Sequence, residues 1–228
     1  MAVINDPNTA ANIAAVGNKA YSPIHTLDGP FPVGSGGAYR ASAFSGTMAA
    51  SLGANSELFQ FRYATAANRV CLVHGVAISA SQLVAASAAG LAGFCLIVAR
   101  SWTVAGSGGT RLTLTGNNQK MRTSQATSEV NDAGIATTTG LTAGTKTFDA
   151  AFMGSVSFSF LTGAITTLPA QQLVPKTPLL GDFIGSLQSP LILANQEGFV
   201  VRSNPNAFPA GATWQFSVDV AWSEVDQF

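Results

Sequence analysis

Alternation between apolar and polar residues is clearest near the C-terminus of the chain. From residue 213 to residue 225, one parity carries large apolar side chains and the other carries polar or small ones. The apolar set is Trp214, Phe216, Val218, Val220 and Trp222, and the other set is Gln215, Ser217, Asp219, Ala221 and Ser223. Because successive side chains of a strand point to opposite faces of a sheet, this period of two predicts a half-buried β-strand.

The same period recurs in several earlier segments. Phe59, Phe61 and Tyr63 alternate with polar residues, and a glycine-rich turn at residues 106–109 predicts a hairpin into the leucine and threonine alternation of residues 111–115. Further strands are predicted for residues 70–80, 94–104, 146–152, 156–160, 191–193 and 199–202. These segments predict a β-rich core.

Three segments have a less regular pattern. The alanine-rich residues 81–93 are compatible with a short helix or a folded loop. Residues 116–145 are polar and far longer than an ordinary connection, which indicates either a functional loop or short irregular strands. Residues 165–193 mix apolar residues with four prolines, a composition that suits edge strands and corners.

Eight or nine strand candidates without a long amphipathic helix predict an all-β fold. We expect an antiparallel β-sandwich of jelly-roll type over residues 57–228, closed by long corner loops. An immunoglobulin-like sandwich is the alternative, because the strand spacing is compatible with both.

Residues 1–56 are predicted to form an extended N-terminal arm. They are rich in Ala, Gly, Asn, Ser and Pro and lack a long alternating run, although residues 10–16 are compatible with a short helix. The arm contains Tyr21, Phe31, Tyr39 and Phe44. Disordered linkers are poor in aromatic residues, so these four favour an arm that lies against a partner.

The low content of charged residues points to an assembled protein. Eleven basic and eleven acidic side chains make up 10 % of the chain, against about a quarter in typical soluble domains. This is sparse cover for a monomer surface of roughly 9,700 Å². We therefore expect a homo-oligomer, with a trimer favoured, and regard a neutral Ser/Thr/Asn-rich monomer as the alternative. Gln215, Ser217 and Asp219, on the polar parity of the last strand, join the four arm aromatics as candidate partner contacts.

Charge and hydropathy also bear on other classes of partner. A net charge of zero and the lack of a Lys/Arg run argue against nucleic-acid binding. No apolar run reaches the roughly 18 residues of a membrane span, and the N-terminus lacks the pattern of a secretory signal. Neither a nucleic acid nor a membrane is an expected partner.

Patterns typical of catalysis or metal binding are weak in this sequence. His74 shares one face of a predicted strand with four aliphatic residues, and His25 lies between prolines, so both are expected to be structural. Cys71 and Cys95 lie in apolar runs and are predicted to be unpaired and buried. Residues 129–132 resemble only half of a calcium loop. We expect no catalytic residue, metal site or cofactor, and no enzyme activity.

Several segments resemble virion structural proteins of tailed bacteriophages. They are residues 39–48 and 55–62, residues 98–101 with 114–118, and residues 193–202 with 214–225. The resemblance covers residues 38–225. It implies a virion protein assembled in the host cytoplasm, such as a capsid decoration or cement protein that contacts the major capsid protein or another virion protein. The alternative is a tail fibre or receptor-binding protein that recognises a host glycan through residues 116–145.

Overall fold

The computed structural model of the protein describes residues 3–5, 12–16, 19–20, 37–65, 69–162, 171–181 and 190–226. These residues contain fifteen β-strands and no helix. The chain divides into two compact units, Met1–Pro32 and Val33–Phe228. The prediction of an all-β protein is confirmed.

The first unit contains a small antiparallel sheet of three strands. β1 (Val3–Asn5) pairs with β2 (Asn12–Val16), which pairs with β3 (Lys19–Ala20). A strand therefore occupies most of the segment that is compatible with a short helix. A helix this short is marginal by itself, whereas pairing with two neighbouring strands satisfies the backbone hydrogen bonds.

The second unit is an antiparallel β-sandwich. Its strands are β4 (Gly37–Phe44), β5 (Glu57–Tyr63), β6 (Arg69–Val84), β7 (Leu91–Val104), β8 (Thr110–Arg111), β9 (Val130–Ile135), β10 (Thr145–Phe148), β11 (Gly154–Ser159), β12 (Gln171–Leu180), β13 (Leu191–Leu193), β14 (Glu197–Ser203) and β15 (Thr213–Asp226). Sheet 1 has the order β12-β6-β15-β4, with β13 also beside β6. Sheet 2 has the order β10-β7-β14-β5-β9-β8, with β11 also beside β7.

Strand pairing in the sandwich is nested. β4 pairs with β15, β5 with β14, β6 with β12 and β13, and β7 with β10 and β11. Successive pairs alternate between sheet 1 and sheet 2. The chain therefore folds as one long antiparallel hairpin that wraps around a single core, with β8 and β9 added at the end of sheet 2.

The core lies between the sheets and is rich in aromatic side chains. At one end, Trp222 stacks on Tyr39 with 5.4 Å between ring centroids and meets Phe61 edge-on at 5.2 Å. At the other end, Trp214 lies 5.7 Å from Phe94. Both tryptophans belong to β15, so one strand anchors both ends of the core.

The prediction for the last strand is confirmed, with one departure at its end. The five apolar residues of the alternating set are buried, while Gln215 is exposed and Ser217 and Asp219 are partly exposed. Ser223 and Glu224 are also buried. The carboxylate of Glu224 accepts a hydrogen bond of 2.6 Å from Ser128 Oγ, and burial raises the pKa of Glu224 despite this contact.

Only part of the face that carries His74 in residues 70–80 points into the core. Val76 and Ile78 point into the core, but the core residues before them are Cys71 and Val73. The register between β6 and β15 shifts at this point, with His74 as the extra residue. Such a bulge reverses which parity faces the core, and the isolated glycine beside it, Gly75, is the local signal for it.

The sandwich begins within residues 1–56, the segment predicted to form an arm. β4 lies inside the predicted arm, yet it pairs along its length with β15 and buries Tyr39, Ala41 and Ala43. Alanine is too small to give a clear apolar signal, which is why the alternation of β4 is easily missed. Residues 37–56 therefore belong to the second unit.

The hairpin predicted around residues 106–109 is not formed. β8 pairs with β9, and β7 lies three strands away from β9 in sheet 2. The connection from β7 to β8 therefore crosses over β14, β5 and β9. Gly109 has φ of +61°, and a Cβ there would lie 2.1 Å from Ile135 O, so the turn requires glycine at this point.

The other three segments without a regular pattern all contribute residues to β-strands. Residues 81–84 continue β6 and residues 91–93 begin β7, so only residues 85–90 of the alanine-rich segment connect the two strands. Within the long polar stretch, residues 130–135 form β9, and the backbone at residues 119–121 hydrogen bonds to β4. Pro175 and Pro178 lie in β12 at the edge of the described sheet, in agreement with the expectation for proline.

Replacing Trp222 with alanine should destabilise the sandwich by roughly 3–5 kcal/mol, because it empties a fully buried aromatic site. Gln215→Ala, on the opposite face of the same strand, should change the free energy of unfolding by less than about 0.5 kcal/mol. Equilibrium unfolding in urea measures both. Equal effects at the two positions would contradict the assignment of the faces.

Candidate partner-contact surface

Strand pairing gathers four of the predicted partner-contact residues on the outer face of sheet 1. Ser217 of β15 lies opposite Phe44 of β4 and opposite Ser79 of β6. Gln215 and Asp219 are two residues away on either side of Ser217, on the same parity. The outer face of sheet 1 therefore combines Phe44, Gln215, Ser217 and Asp219.

Phe44 is the most prominent apolar group on this face. Its side chain is 75 % exposed, although it ends a strand whose other aromatic residue, Tyr39, is buried. Beside it is a shallow groove of about 180 Å³. The groove is lined by Phe44, Ser45, Ser79, Ala80, Ser81, Gln215, Phe216 and Ser217. An exposed phenylalanine next to small side chains offers apolar area that a partner can cover without a steric barrier.

Three of the hydroxyl groups on this face already have partners within the chain. Ser79 Oγ and Ser217 Oγ are 2.7 Å apart across the β6–β15 pair. Ser45 Oγ accepts a hydrogen bond of 2.9 Å from the backbone N–H of Phe216. Polar groups that are hydrogen-bonded internally cost less to bury than unpaired ones. A partner can therefore cover the face without supplying matching polar groups for these three serines.

The acidic group Asp219 on this face is also paired, while the neighbouring Arg40 of β4 is exposed. Lys176 Nζ of β12 is 2.7 Å from Asp219 Oδ2, and Ser42 Oγ donates to the other oxygen of the same carboxylate. Burial opposes the charge on Asp219, but the hydrogen bonds from Lys176 and Ser42 outweigh it and lower the pKa of Asp219. The carboxylate therefore remains charged and neutralised by a side chain of its own sheet.

Tyr39 does not belong to this surface, and its prediction as a partner contact is wrong. Its side chain is 1 % exposed, and its hydroxyl donates a hydrogen bond of 2.9 Å to the backbone carbonyl of Ala126. It stacks on Trp222 in the core. Tyr21, Phe31 and His25 lie outside the described residues.

Ile192 is an exposed apolar residue of the same face that the sequence pattern does not reveal. It is 57 % exposed and lies opposite Leu72 of β6, whereas Leu191 and Leu193 on either side are buried. All three residues of β13 are apolar, so the strand shows no alternation from which the outward residue can be read. A short edge strand is oriented by its register with β6 alone.

His74 contacts a side chain of its own sheet, and both cysteines are buried. His74 Nε2 lies 2.8 Å from Ser223 Oγ, and burial lowers the pKa of His74. Cys71 and Cys95 are both free and buried, as predicted, and burial raises the pKa of each thiol. Within the described part of the chain, no group of three or more His, Cys, Asp and Glu side chains has a metal-binding arrangement.

A second groove, of about 390 Å³, lies where the polar stretch of residues 116–145 meets sheet 2. It is lined by Ala64, residues 112–115 and residues 127–131. Most of these side chains carry a hydroxyl, amide or carboxylate group.

The described residues contain no helix that is long and apolar enough to cross a membrane.

Comparison with known proteins does not assign the chain to a family. No family model matches it, no curated protein matches it, and no solved structure matches it. The resemblance to phage virion proteins therefore stays a prediction.

Asp219→Asn should lower stability at neutral pH by about 0.2–1 kcal/mol, because Lys176 is half exposed and the ion pair is screened. The folded-state pKa of Asp219 is below the unfolded value of about 3.9. The stabilisation is therefore complete above that value and is lost as the pH falls through the folded-state pKa.

Urea unfolding of wild type and Asp219→Asn at neutral pH and near pH 2 tests this, with the difference shrinking in acid. Lys176→Gln should remove the same pH-dependent component, because it removes the partner cation. A difference between wild type and Asp219→Asn that is constant across this range would contradict the assigned ion pair.

Proposed function

We propose that this chain is a non-enzymatic structural protein of a tailed-phage virion. In this proposal it is a capsid decoration or cement protein that assembles as a homo-oligomer, with a trimer favoured, and binds the major capsid protein or another virion protein. The main support is Phe44, which is 75 % exposed on a sheet face where Ser79 pairs with Ser217 and Lys176 pairs with Asp219. Such a face is suited to permanent burial.

The strand order supports the jelly-roll form of the sandwich. Taking β4, β5, β6, β7, β11, β12, β14 and β15 as the eight principal strands, the first pairs with the last and each inner pair follows in turn. Alternation of these pairs between two sheets is the arrangement of a jelly roll. Viral capsid and lectin domains both use this architecture, so it is compatible with a virion role.

A second copy of the chain is the occupant that the outer face of sheet 1 suits best. Asp219 and Lys176 of this face neutralise each other, which reduces the charge repulsion between copies that approach through it. Phe44 and Ile192 provide apolar area for the contact. The low charge content of the whole chain agrees with extensive burial in an assembly.

Wild-type protein should sediment as an oligomer at micromolar concentration, and Phe44→Asp should shift it to monomer. An aspartate buried in the contact would be an unpaired charge and would cost much more than the lost apolar area. Met153→Asp is the matched control, because Met153 is 48 % exposed but lies next to β11 in sheet 2. Sedimentation velocity measures all three proteins.

Two outcomes would contradict the proposed assembly. Wild-type protein that remains monomeric at micromolar concentration and has no affinity for capsids would contradict both the proposed oligomer and the proposed capsid contact. Dissociation by Met153→Asp but not by Phe44→Asp would place the contact on sheet 2 instead.

Glycan recognition by a tail fibre or receptor-binding protein is the second candidate function. The groove of about 390 Å³ favours it, because its volume lies in the usual range for small-ligand sites and its lining is rich in hydrogen-bonding side chains. Thr113, Thr127 and Asn131 lie along its wall. Lectin domains are also among the uses of the jelly roll.

Wild-type protein should retain specific glycans on an array if this second function is correct, and Thr127→Arg should abolish binding by filling the groove. Thr123→Arg is the control, because Thr123 is an exposed residue of the same stretch outside the groove. Binding that survives Thr127→Arg would exclude this groove as the glycan site. Neither change should alter an oligomer formed through sheet 1.

A further inference from the structure

A small apolar cluster lies on the outer face of sheet 2, outside the main core. It consists of Ile97, Ala99, Trp102 and Val200. Lys146, from β10, lies over it with Nζ 4.3 Å from the centroid of the Trp102 ring. The Lys146 side chain is only 1 % exposed. A lysine buried this completely on an aromatic ring is rare in soluble proteins unless it is paired.

Two nitrogen atoms share one carboxylate oxygen beside this cluster. Lys146 Nζ is 2.7 Å from Glu57 Oε2, and Gln60 Nε2 is 2.6 Å from the same oxygen. Gln60 is fully buried, and the Glu57 side chain is 6 % exposed. The amine and the carboxamide are therefore held side by side in a site from which water is largely excluded.

The contacts of Gln60 define the orientation of its amide group. Its Nε2 also donates a hydrogen bond of 2.7 Å to the backbone carbonyl of Thr142, so both contacts on the nitrogen side are acceptors. Its Oε1 faces Arg111 Nη1 at 3.5 Å. The guanidinium is in turn held by Asp132, with Nη1 3.1 Å from Oδ1. A cation thus lies at the carbonyl oxygen of Gln60.

The segment that crosses outside sheet 2 closes the site. A Cβ at Gly106 would lie 2.3 Å from Gln60 Oε1 and 2.2 Å from Thr142 O. Only a glycine allows the backbone to pass this close to the carboxamide. The crossing connection that replaces the predicted hairpin therefore serves as a cover over Gln60.

Burial lowers the pKa of Lys146, even though its hydrogen bond to Glu57 acts in the opposite direction. A buried lysine whose pKa is lowered can act as a nucleophile, because its neutral amine form becomes accessible. Glu57 is within hydrogen-bond distance of both the attacking nitrogen and the leaving nitrogen. That is the geometry required of a proton carrier between them.

We propose that Lys146 and Gln60 become joined by an intramolecular isopeptide bond, with Glu57 as the proton carrier and Arg111 polarising the carbonyl. Lys146 Nζ forms a bond to Gln60 Cδ while the carbonyl electron pair moves to Oε1 beside Arg111. The carbonyl then re-forms as the Cδ–Nε2 bond breaks.

The atoms and charges of this reaction balance. The ammonium of Lys146 loses two protons, of which one stays on Glu57 and the other is carried by Glu57 to the leaving nitrogen. The products are a secondary amide, a neutral carboxylic acid and one molecule of ammonia. No oxidant or other reactant is needed, because the oxidation states of carbon and nitrogen do not change.

Conversion of a buried ion pair into neutral groups favours the reaction in this setting. Charges removed from water carry a large desolvation cost, and the product leaves neither Lys146 nor Glu57 charged. The bond would tie β5 to β10 across sheet 2. A covalent link between residues distant in the chain reduces the conformational entropy of the unfolded state, which suits a protein of long-lived assemblies.

Intact mass spectrometry of the purified, denatured full-length chain tests the proposal. Wild-type protein should be lighter than its sequence by one ammonia molecule, and proteolysis should yield a peptide in which residues 60 and 146 are linked. Lys146→Arg and Glu57→Gln should both restore the full sequence mass. Lys176→Arg should retain the deficit, since Lys176 is also ion-paired but lies in sheet 1.

The wild-type measurement is decisive even if a variant fails to fold. Folded wild-type protein with the full sequence mass would overturn the proposal and leave Lys146 and Glu57 as a buried ion pair. A deficit of one ammonia that maps to any peptide other than the linked pair would overturn it equally. Neither result depends on whether the protein forms oligomers through sheet 1.

Discussion

Burial of one face of β15 is the constraint on which the rest of the sandwich depends. This strand lies between β4 and β6, and its two tryptophans contact aromatic residues of sheet 2 at opposite ends of the core. Because β4 is the first strand of the sandwich and β15 the last, their pairing closes the fold. The nested order of the inner pairs follows from that closure, since each strand returns beside an earlier one.

The outer faces of the two sheets are built in different ways. On the outer face of sheet 1, Ser79 pairs with Ser217 and Lys176 pairs with Asp219, and Phe44 is exposed. The outer face of sheet 2 is partly covered by the chain itself, around Trp102 and Lys146. One face is thus suited to contact a partner, and the other carries an internal layer of buried charge.

These two features support a structural role by separate routes. Association through sheet 1 would bury apolar area between copies, whereas a bond between Lys146 and Gln60 would strengthen each copy by itself. The ion pair of Asp219 and Lys176 is partly exposed and contributes little to stability, while that of Glu57 and Lys146 is buried and is costly if either partner is lost. The buried ion pair of Glu57 and Lys146 therefore lies on the other sheet from the proposed contact.

The sequence alone determines the class of the fold and the orientation of β15, because Trp214 and Trp222 share a parity with no polar residue between them on that face. It also places Pro175 and Pro178 at an edge, since proline cannot donate a ladder hydrogen bond. It does not reveal β4, whose inward residues include small alanines, and Gly75 signals the bulge at His74 without deciding it, because the bulge depends on register with β15. Only the tertiary structure brings Gln60, Glu57 and Lys146 together, because the neighbours of a strand are decided by packing across the whole chain and leave no local pattern.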